Sequence, residues 1–222
     1  MRIVNGVNWV EGVDCNVYVV EHDGKLVIVD SGSPRNEQKI LACVTSLGYR
    51  PKDVTTIVLT HFHIDHAGSA KRLKELTGAK IAIHELDAPY ISGKEEAPKS
   101  KSMMFRFEHS IVKSGSVEPD VILKHNREVD GLIVVHMPGH SDGNIALYDP
   151  QHKVMFTGDS IRFMNGKILG PPEHYTQDAE RAKESLGRLT GYTFEIMLGG
   201  HGEPLRPEAD KKVKAYYQSL FS

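Results

Sequence analysis

The chain has 222 residues, with 27 basic and 29 acidic side chains, a formal charge of −2, 40% hydrophobic residues and 25% charged ones. This composition can bury an ordinary core, which excludes a mainly disordered, collagen-like or coiled-coil protein. The near-neutral balance argues against a partner held mostly by phosphate contacts, and the length fits one domain over 1–222.

In chain order, short apolar runs rich in β-branched residues are expected as strands at 17–20, 26–29, 54–59, 81–83, 132–135, 145–148, 154–156 and 194–198. Helical spacing places Ile40, Leu41, Val44 and Leu47 on one face, Leu73 and Leu76 on another after Ala67, and Ala182, Leu186 and Leu189 on a third. A last helix is expected over 208–220. Two paired strands, then strand–helix alternation, then a meander over 132–156 give sheets layered with helices, an α+β or α/β domain. Segment 92–119 is rich in Lys, Ser, Glu, Gly and Pro yet holds Met103, Met104, Phe105 and Phe107, and is expected as a lid or a surface helix.

Cys15 and Cys43 fit neither a disulfide framework nor a Cys-x-x-Cys site, and are expected as buried thiols in a reducing compartment. No stretch approaches the roughly 18 apolar residues that span a bilayer, and the start lacks the apolar run of a signal peptide. A cytoplasmic chain without a membrane partner is the expectation.

Twelve histidines are the unusual feature. The densest signal is Thr60-His61-Phe62-His63-Ile64-Asp65-His66, directly after the strand Ile57-Val58-Leu59. Polar groups of this kind gain nothing from apolar burial and need partners, which a metal provides. Alternation puts His61 and His63 on one side of an extended segment, while Asp65 and His66 fall where a helix begins. One ion accommodates only part of this set, so the spacing points to two.

Four other strands end in a small-residue turn carrying an acid or an imidazole: Asp30-Ser31-Gly32, Pro138-Gly139-His140, Thr157-Gly158-Asp159 and Gly199-Gly200-His201-Gly202. Sites in layered sheets form outside the carboxyl ends of strands. Taken singly, each turn reads as a turn. Together with the histidine segment they make His61, His63, Asp65, His66, His140, Asp159 and His201 the candidate metal ligands, with Asp30 orienting one of them by a hydrogen bond. His22, His84, His109, His125, His136 and His152 lack companions nearby in sequence and are expected on the surface or satisfied in the core; His84 also follows a strand end, which keeps it near the candidate site.

These motifs, from Asp30 to His201, resemble the metallo-β-lactamase superfamily. The resemblance implies a four-layer αββα sandwich with a metal site at the edge between the sheets. In related hydrolases the positions matching His61, His63 and His140 hold one metal, those matching Asp65, His66 and His201 the other, and that matching Asp159 bridges them. Zinc suits the set, and iron or manganese accept the same ligands. The implied mechanism is hydrolysis by a metal-bridging hydroxide, with Asp65 and Asp159 as catalytic residues.

The presence of Asp159 and His63 departs from the familiar β-lactamases and from flavodiiron proteins. Only 42 residues separate Asp159 from His201, too few for an inserted nuclease domain, so no nucleic-acid partner is expected. Glyoxalase II-like thioesterases and lactonases fit best, which implies a small-molecule thioester, lactone or related ester; a homodimer stays open. The alternative is a mononuclear iron persulfide dioxygenase, with a short nuclease or phosphodiesterase behind it. After Asp159, the run 162–175 borders the expected pocket, with Arg162, His174 and Tyr175 as substrate-facing candidates.

Overall fold

The computed structural model describes residues 1–98 and 115–221. The first sheet runs, in spatial order, through β1 (Arg2–Val4), β2 (Val7–Trp9), β3 (Tyr18–His22), β4 (Lys25–Val29), β5 (Val54–Val58), β6 (Lys80–His84) and β7 (Val121–Leu123). Strands up to β4 pair antiparallel and those from β4 onward pair parallel. The second sheet is a meander of β8 (Glu128–Val129), β9 (Leu132–His136), β10 (Ile145–Asp149) and β11 (Val154–Gly158). A separate hairpin follows, β12 (Arg162–Met164) and β13 (Lys167–Leu169), before β14 (Ile196–Gly199) joins β11 in parallel.

The helices are α1 (Glu37–Ser46), α2 (Ile64–Ala67), α3 (Ala70–Thr77), α4 (Ala88–Ser92), α5 (Ala179–Ser185) and α6 (Ala209–Ser219). Period-2 alternation decides the layering, because successive residues of a strand serve opposite faces. In the first sheet, Val27, Val29, Val58 and Ala82 face the second sheet, while Leu26, Ile28, Ile57 and Ile81 pack with Ile40 and Val44 of α1 and Leu73 of α3. In the second sheet, Val134, Leu147, Val154, Phe156 and Leu198 face inward. Their neighbours Val135, Ala146, Met155 and Met197 pack outward with Leu186, Leu189, Ala209 and Val213. Every long strand is therefore apolar on both faces, and the layers run helix, sheet, sheet, helix.

All eight expected strands form, within a residue or two of their expected ends. Two expected helices are divided. The one carrying Ala182, Leu186 and Leu189 passes after α5 into a 3-10 helix, Leu186–Gly191. The segment after Asp65 breaks between α2 and α3 at Gly68-Ser69, where Gly68 sits so close to the Ile64 carbonyl and Pro34 that a Cβ would lie 2.4 Å from each. Ser69 Oγ donates to the Ser33 carbonyl and accepts the Asn36 N–H at 3.0 Å, pinning the loop after β4 to the start of α3. Leu76, expected to be buried with Leu73, is only half-buried. Met103, Met104, Phe105 and Phe107 lie outside the described residues. Of the same segment, Val117 packs against the outer face of the first sheet.

Candidate metal centre

Five strands deliver their first loop residues to one pole of the sandwich. Asp30 follows β4, His61 and His63 follow β5, His140 follows β9, Asp159 follows β11 and His201 follows β14. The loops are tied to one another by backbone bonds: Ile145 donates to Thr60 at 2.9 Å, Ser31 to His66 at 2.7 Å and Gly200 to Gly158 at 2.7 Å.

The structure brings the seven candidate ligands into three overlapping groups whose ligand atoms lie within 4.8 Å of one another: His61, His63 and His140; His61, His66 and Asp159; and Asp65, His66 and His201. Asp159 lies between the two outer groups. Its Oδ2 is 3.6 Å from His140 Nε2, and its Oδ1 is 3.5 Å from His66 Nε2 and 3.7 Å from His201 Nε2. Asp65 Oδ2 is 3.1 Å from His201 Nε2.

Hydrogen bonds on the outer nitrogens settle the tautomers. Asp30 Oδ2 accepts the His66 Nδ1–H at 2.9 Å, and the same carboxylate accepts the Thr60 hydroxyl. With its own proton given to Asp30, Thr60 Oγ1 accepts the His61 Nδ1–H at 3.0 Å. Thr176 likewise donates to the Pro172 carbonyl at 2.8 Å, and so accepts the His140 Nδ1–H at 3.2 Å. His61 and His140 thereby aim lone-pair Nε2 atoms into the centre, and His66 turns its Nε2 to the same place, as metal-ligating imidazoles do. Asp30 holds this position in the left-handed region at φ 62°, which aspartate tolerates.

These residues fit a metal. His61 Nε2, His66 Nε2 and Asp159 Oδ1 are buried with no hydrogen-bond partner, a combination that costs stability unless a cation is coordinated there. Burial, reinforced by neighbouring imidazoles, pushes His61 and His63 well below the ordinary histidine range and His140 down to about 3, which keeps the rings neutral, each with one lone-pair nitrogen. Burial also pulls His66 downward, but Asp65, Asp30 and Asp159 outweigh it and push the imidazole up to about 10. Three carboxylates around one ring, Asp30 at Nδ1 and Asp65 and Asp159 at Nε2, make this a place for positive charge. Asp65 is raised by burial but held well below the usual carboxylate range by His66, His201 and His63. Gly200 closes the back of the centre, where a Cβ would lie 2.5 Å from Asp159 Oδ1 and 2.6 Å from His66 Cε1.

A supporting residue absent from the sequence reading is Asp87, ahead of α4. Fully buried, it accepts the Ser141 hydroxyl at 2.6 Å, the Gly143 N–H at 2.8 Å and the Phe62 N–H at 3.1 Å. It therefore ties the loop of His61 and His63 to the loop of His140. Burial, opposed by those three bonds, pushes its carboxyl up to about 7. The available signal was an acid just after a strand end, which by itself reads as a helix cap.

The centre opens into a cleft of about 470 Å³ lined by His63, Asp65, Asp159 and His201 with Asp14, Ser33, Met164, Pro172, Arg162 and Tyr175. Arg162 is the one Lys or Arg among the described lining residues, and its Nε donates to the Gly170 carbonyl at 3.1 Å. His174 is exposed and is not among the described lining residues. His84 belongs to none of these ligand groups and is not among the described lining residues; its ring stacks on His136 with centroids 4.1 Å apart. Among the described residues, no helix is long and apolar enough to cross a membrane.

Residues 10–201 match the family model of the metallo-beta-lactamase superfamily. The chain is 28% identical over 218 residues to a probable metallo-hydrolase, YflN, of Bacillus subtilis strain 168, covering 86% of this chain and 81% of that protein. It is 25% identical to the acyl-coenzyme A thioesterase MBLAC2 of Gallus gallus, over 71% of this chain and 63% of that one. Among solved structures, TTHA1623 in a di-iron-bound form superposes with a TM-score of 0.68 at 26% identity, covering 90% of this chain and 93% of that one. The four-layer sandwich and the match over most of its length place the chain in the metallo-beta-lactamase superfamily.

Proposed function

We propose that this metal-dependent hydrolase cleaves an ester-like bond, a thioester, lactone or related ester, in a small molecule at a two-ion centre. The observation that carries the reading is the position of Asp159, its two carboxylate oxygens facing different halves of one ligand set on the floor of an open cleft. His61, His63 and His140 would hold one ion, Asp65, His66 and His201 the other, with Asp159 shared; zinc suits this imidazole and carboxylate set. Bound there, divalent ions supply a nucleophile at neutral pH and polarise a carbonyl oxygen.

The chain's own residues do the rest. Asp65, ionised and with its side chain one-third exposed (34%), faces the cleft and orients the attacking water. Asp30 and Thr60 lock His66 and His61, and Thr176 locks His140, so these three imidazoles keep their orientation during turnover. Met164 and the Tyr175 ring form an apolar wall for an acyl group, while Arg162 offers N–H donors to an anionic or carbonyl oxygen of the substrate. A single guanidinium suits a small anionic group better than a polynucleotide backbone. The thioesterase relative supports the ester-like bond as the target.

The test is hydrolysis of thioester and lactone panels by zinc-loaded protein and by Asp159→Ala, with metal content measured on both. Activity and metal are expected to fall together. Thiol-dependent oxygen uptake by iron-loaded protein, without hydrolysis, would replace this reading with a persulfide dioxygenase.

A further inference from the structure

At the pole opposite the cleft, the fold brings one residue of the first sheet to two neighbouring residues of the second, 127 positions away. His22 ends β3 of the first sheet, Asp149 ends β10 of the second, and His152 stands in the turn from β10 to β11. The His22 side chain is 8% exposed, that of Asp149 fully buried and that of His152 10% exposed. Asp149 Oδ2 lies 3.3 Å from His22 Nε2 and 2.6 Å from His152 Nδ1, and all three ligand atoms lie within 4.8 Å of one another. Asp149 Oδ1 accepts the His152 backbone N–H at 3.1 Å, which fixes the carboxylate so that Oδ2 is the oxygen turned to both rings.

From this cluster we infer a second metal site, a structural zinc-type site that joins the two sheets through His22, Asp149 and His152. Three considerations carry it. First, the ligand chemistry is that of the superfamily centre in miniature: two imidazoles and a carboxylate, a set suited to zinc, whose bonds of about 2.0–2.2 Å hold tetrahedral ligand atoms about 3.3 Å apart. The His22 contact already has that spacing, and a bound ion opens the His152 contact toward it.

Second, the outer nitrogen of His22 faces a carbonyl oxygen, Gln151 Oε1, at 3.1 Å, the partner that ligating imidazoles characteristically have. Third, hydrogen bonds alone close this cluster awkwardly. Gln151 also faces His152 through Nε2 at 3.3 Å. Both rings must then donate to Asp149, while the amide offers one donor and one acceptor to their remaining nitrogens. Whichever way the amide is turned, the circuit holds one proton more than two neutral imidazoles and a carboxylate supply. A divalent cation bound by all three residues releases one of the three ring protons and leaves each ring neutral, its one proton on the outer nitrogen.

The pocket is shaped by glycine. A Cβ on Gly6 would lie 2.4 Å from His152 Nε2, and one on Gly131 would lie 2.7 Å from His22 Nδ1. Each strand end therefore meets an imidazole at closer range than any side chain allows. The partly exposed His152 edge gives the ion its path in and a place for water as a further ligand. None of these residues belongs to the catalytic centre, so the site stands whatever the substrate is.

The experiment is zinc content per chain after chelator treatment, zinc reloading and gel filtration, on wild type and His152→Asn, with folding checked by circular dichroism. Wild type is expected to hold about one more zinc than His152→Asn. Hydrolase activity is expected to be the same in both, and zinc is expected to raise the Tm of the wild type more than that of the variant. Equal zinc content and equal Tm response in two folded proteins would overturn the site. Should His152→Asn fail to fold, the His61→Ala, His66→Ala, Asp159→Ala triple variant answers instead: with every three-ligand group of the catalytic centre broken, it retains about one zinc if the far site exists, and none if it does not.

Discussion

The two poles of the sandwich hold the same kinds of side chain under different electrostatic conditions. At the cleft, every outer imidazole nitrogen that the geometry settles has its own partner in Asp30, Thr60 or Thr176, and three inner atoms are left buried with none. At the far pole the carboxylate draws both rings onto one oxygen, and each ligand atom has a partner within the cluster. The difference teaches that residue type does not by itself make a centre. Outer partners that hold the donors apart create the demand for an ion, whereas direct contact among the donors partly quenches it. The cleft centre is therefore expected to bind its metals far more tightly than the far site.

The largest effect should come from removing the shared carboxylate. Asp159→Ala is expected to lower kcat by about 10³-fold or more, with loss of metal, because charge stabilisation worth several kcal/mol disappears. Steady-state kinetics with elemental analysis checks it. Gly200→Ala should come close behind, since its methyl group would occupy the space against Asp159 and His66. The expected signature is lost activity with an almost unchanged Tm, because the clash falls on ligands and not on the core.

Asp30→Asn probes the outer partners. Exchanging an acceptor for a donor opposite His66 Nδ1 should cost about 10- to 100-fold in metal affinity or activity, which a chelator competition measures.

Asp87 gives a pH test. Burial raises its folded pKa to about 7, above the unfolded value. The folded state therefore keeps a proton that the unfolded chain has released, and the stability contributed by Asp87 is fully present below about pH 4 and lost as pH rises through about 7. Asp87→Asn should flatten that slope in denaturant titrations from pH 4 to 8. The smallest effect belongs to His152→Asn, whose activity should match wild type while its zinc-dependent gain in Tm falls.

Much of this was legible in the sequence because both layering and site are written locally. β-branched runs such as Val27-Ile28-Val29 and Val154-Met155-Phe156 declare strands buried on both faces, and the motif after Leu59 concentrates ligands within seven residues. The short strands β1, β2, β7, β8, β12 and β13 span two or three residues each, too few for alternation to register. Which strand joins which sheet depends on pairing across long stretches of chain. The same limit hid the far cluster: His22 and Asp149 are 127 residues apart, and each alone resembles an ordinary surface residue. Asp87 escaped for a related reason, since its partners Phe62 and Ser141 are named only by the folded structure.

The central claim is that hydrolysis depends on one two-ion centre built from both halves of the ligand set. The most direct measurement is metal content together with thioester and lactone hydrolysis on wild type and on His63→Ala, His201→Ala, which removes one ligand from each half. The expected result is a loss of about two metal ions per chain accompanied by loss of hydrolysis. A folded double variant that has lost those ions and still hydrolyses the same substrates would contradict the account.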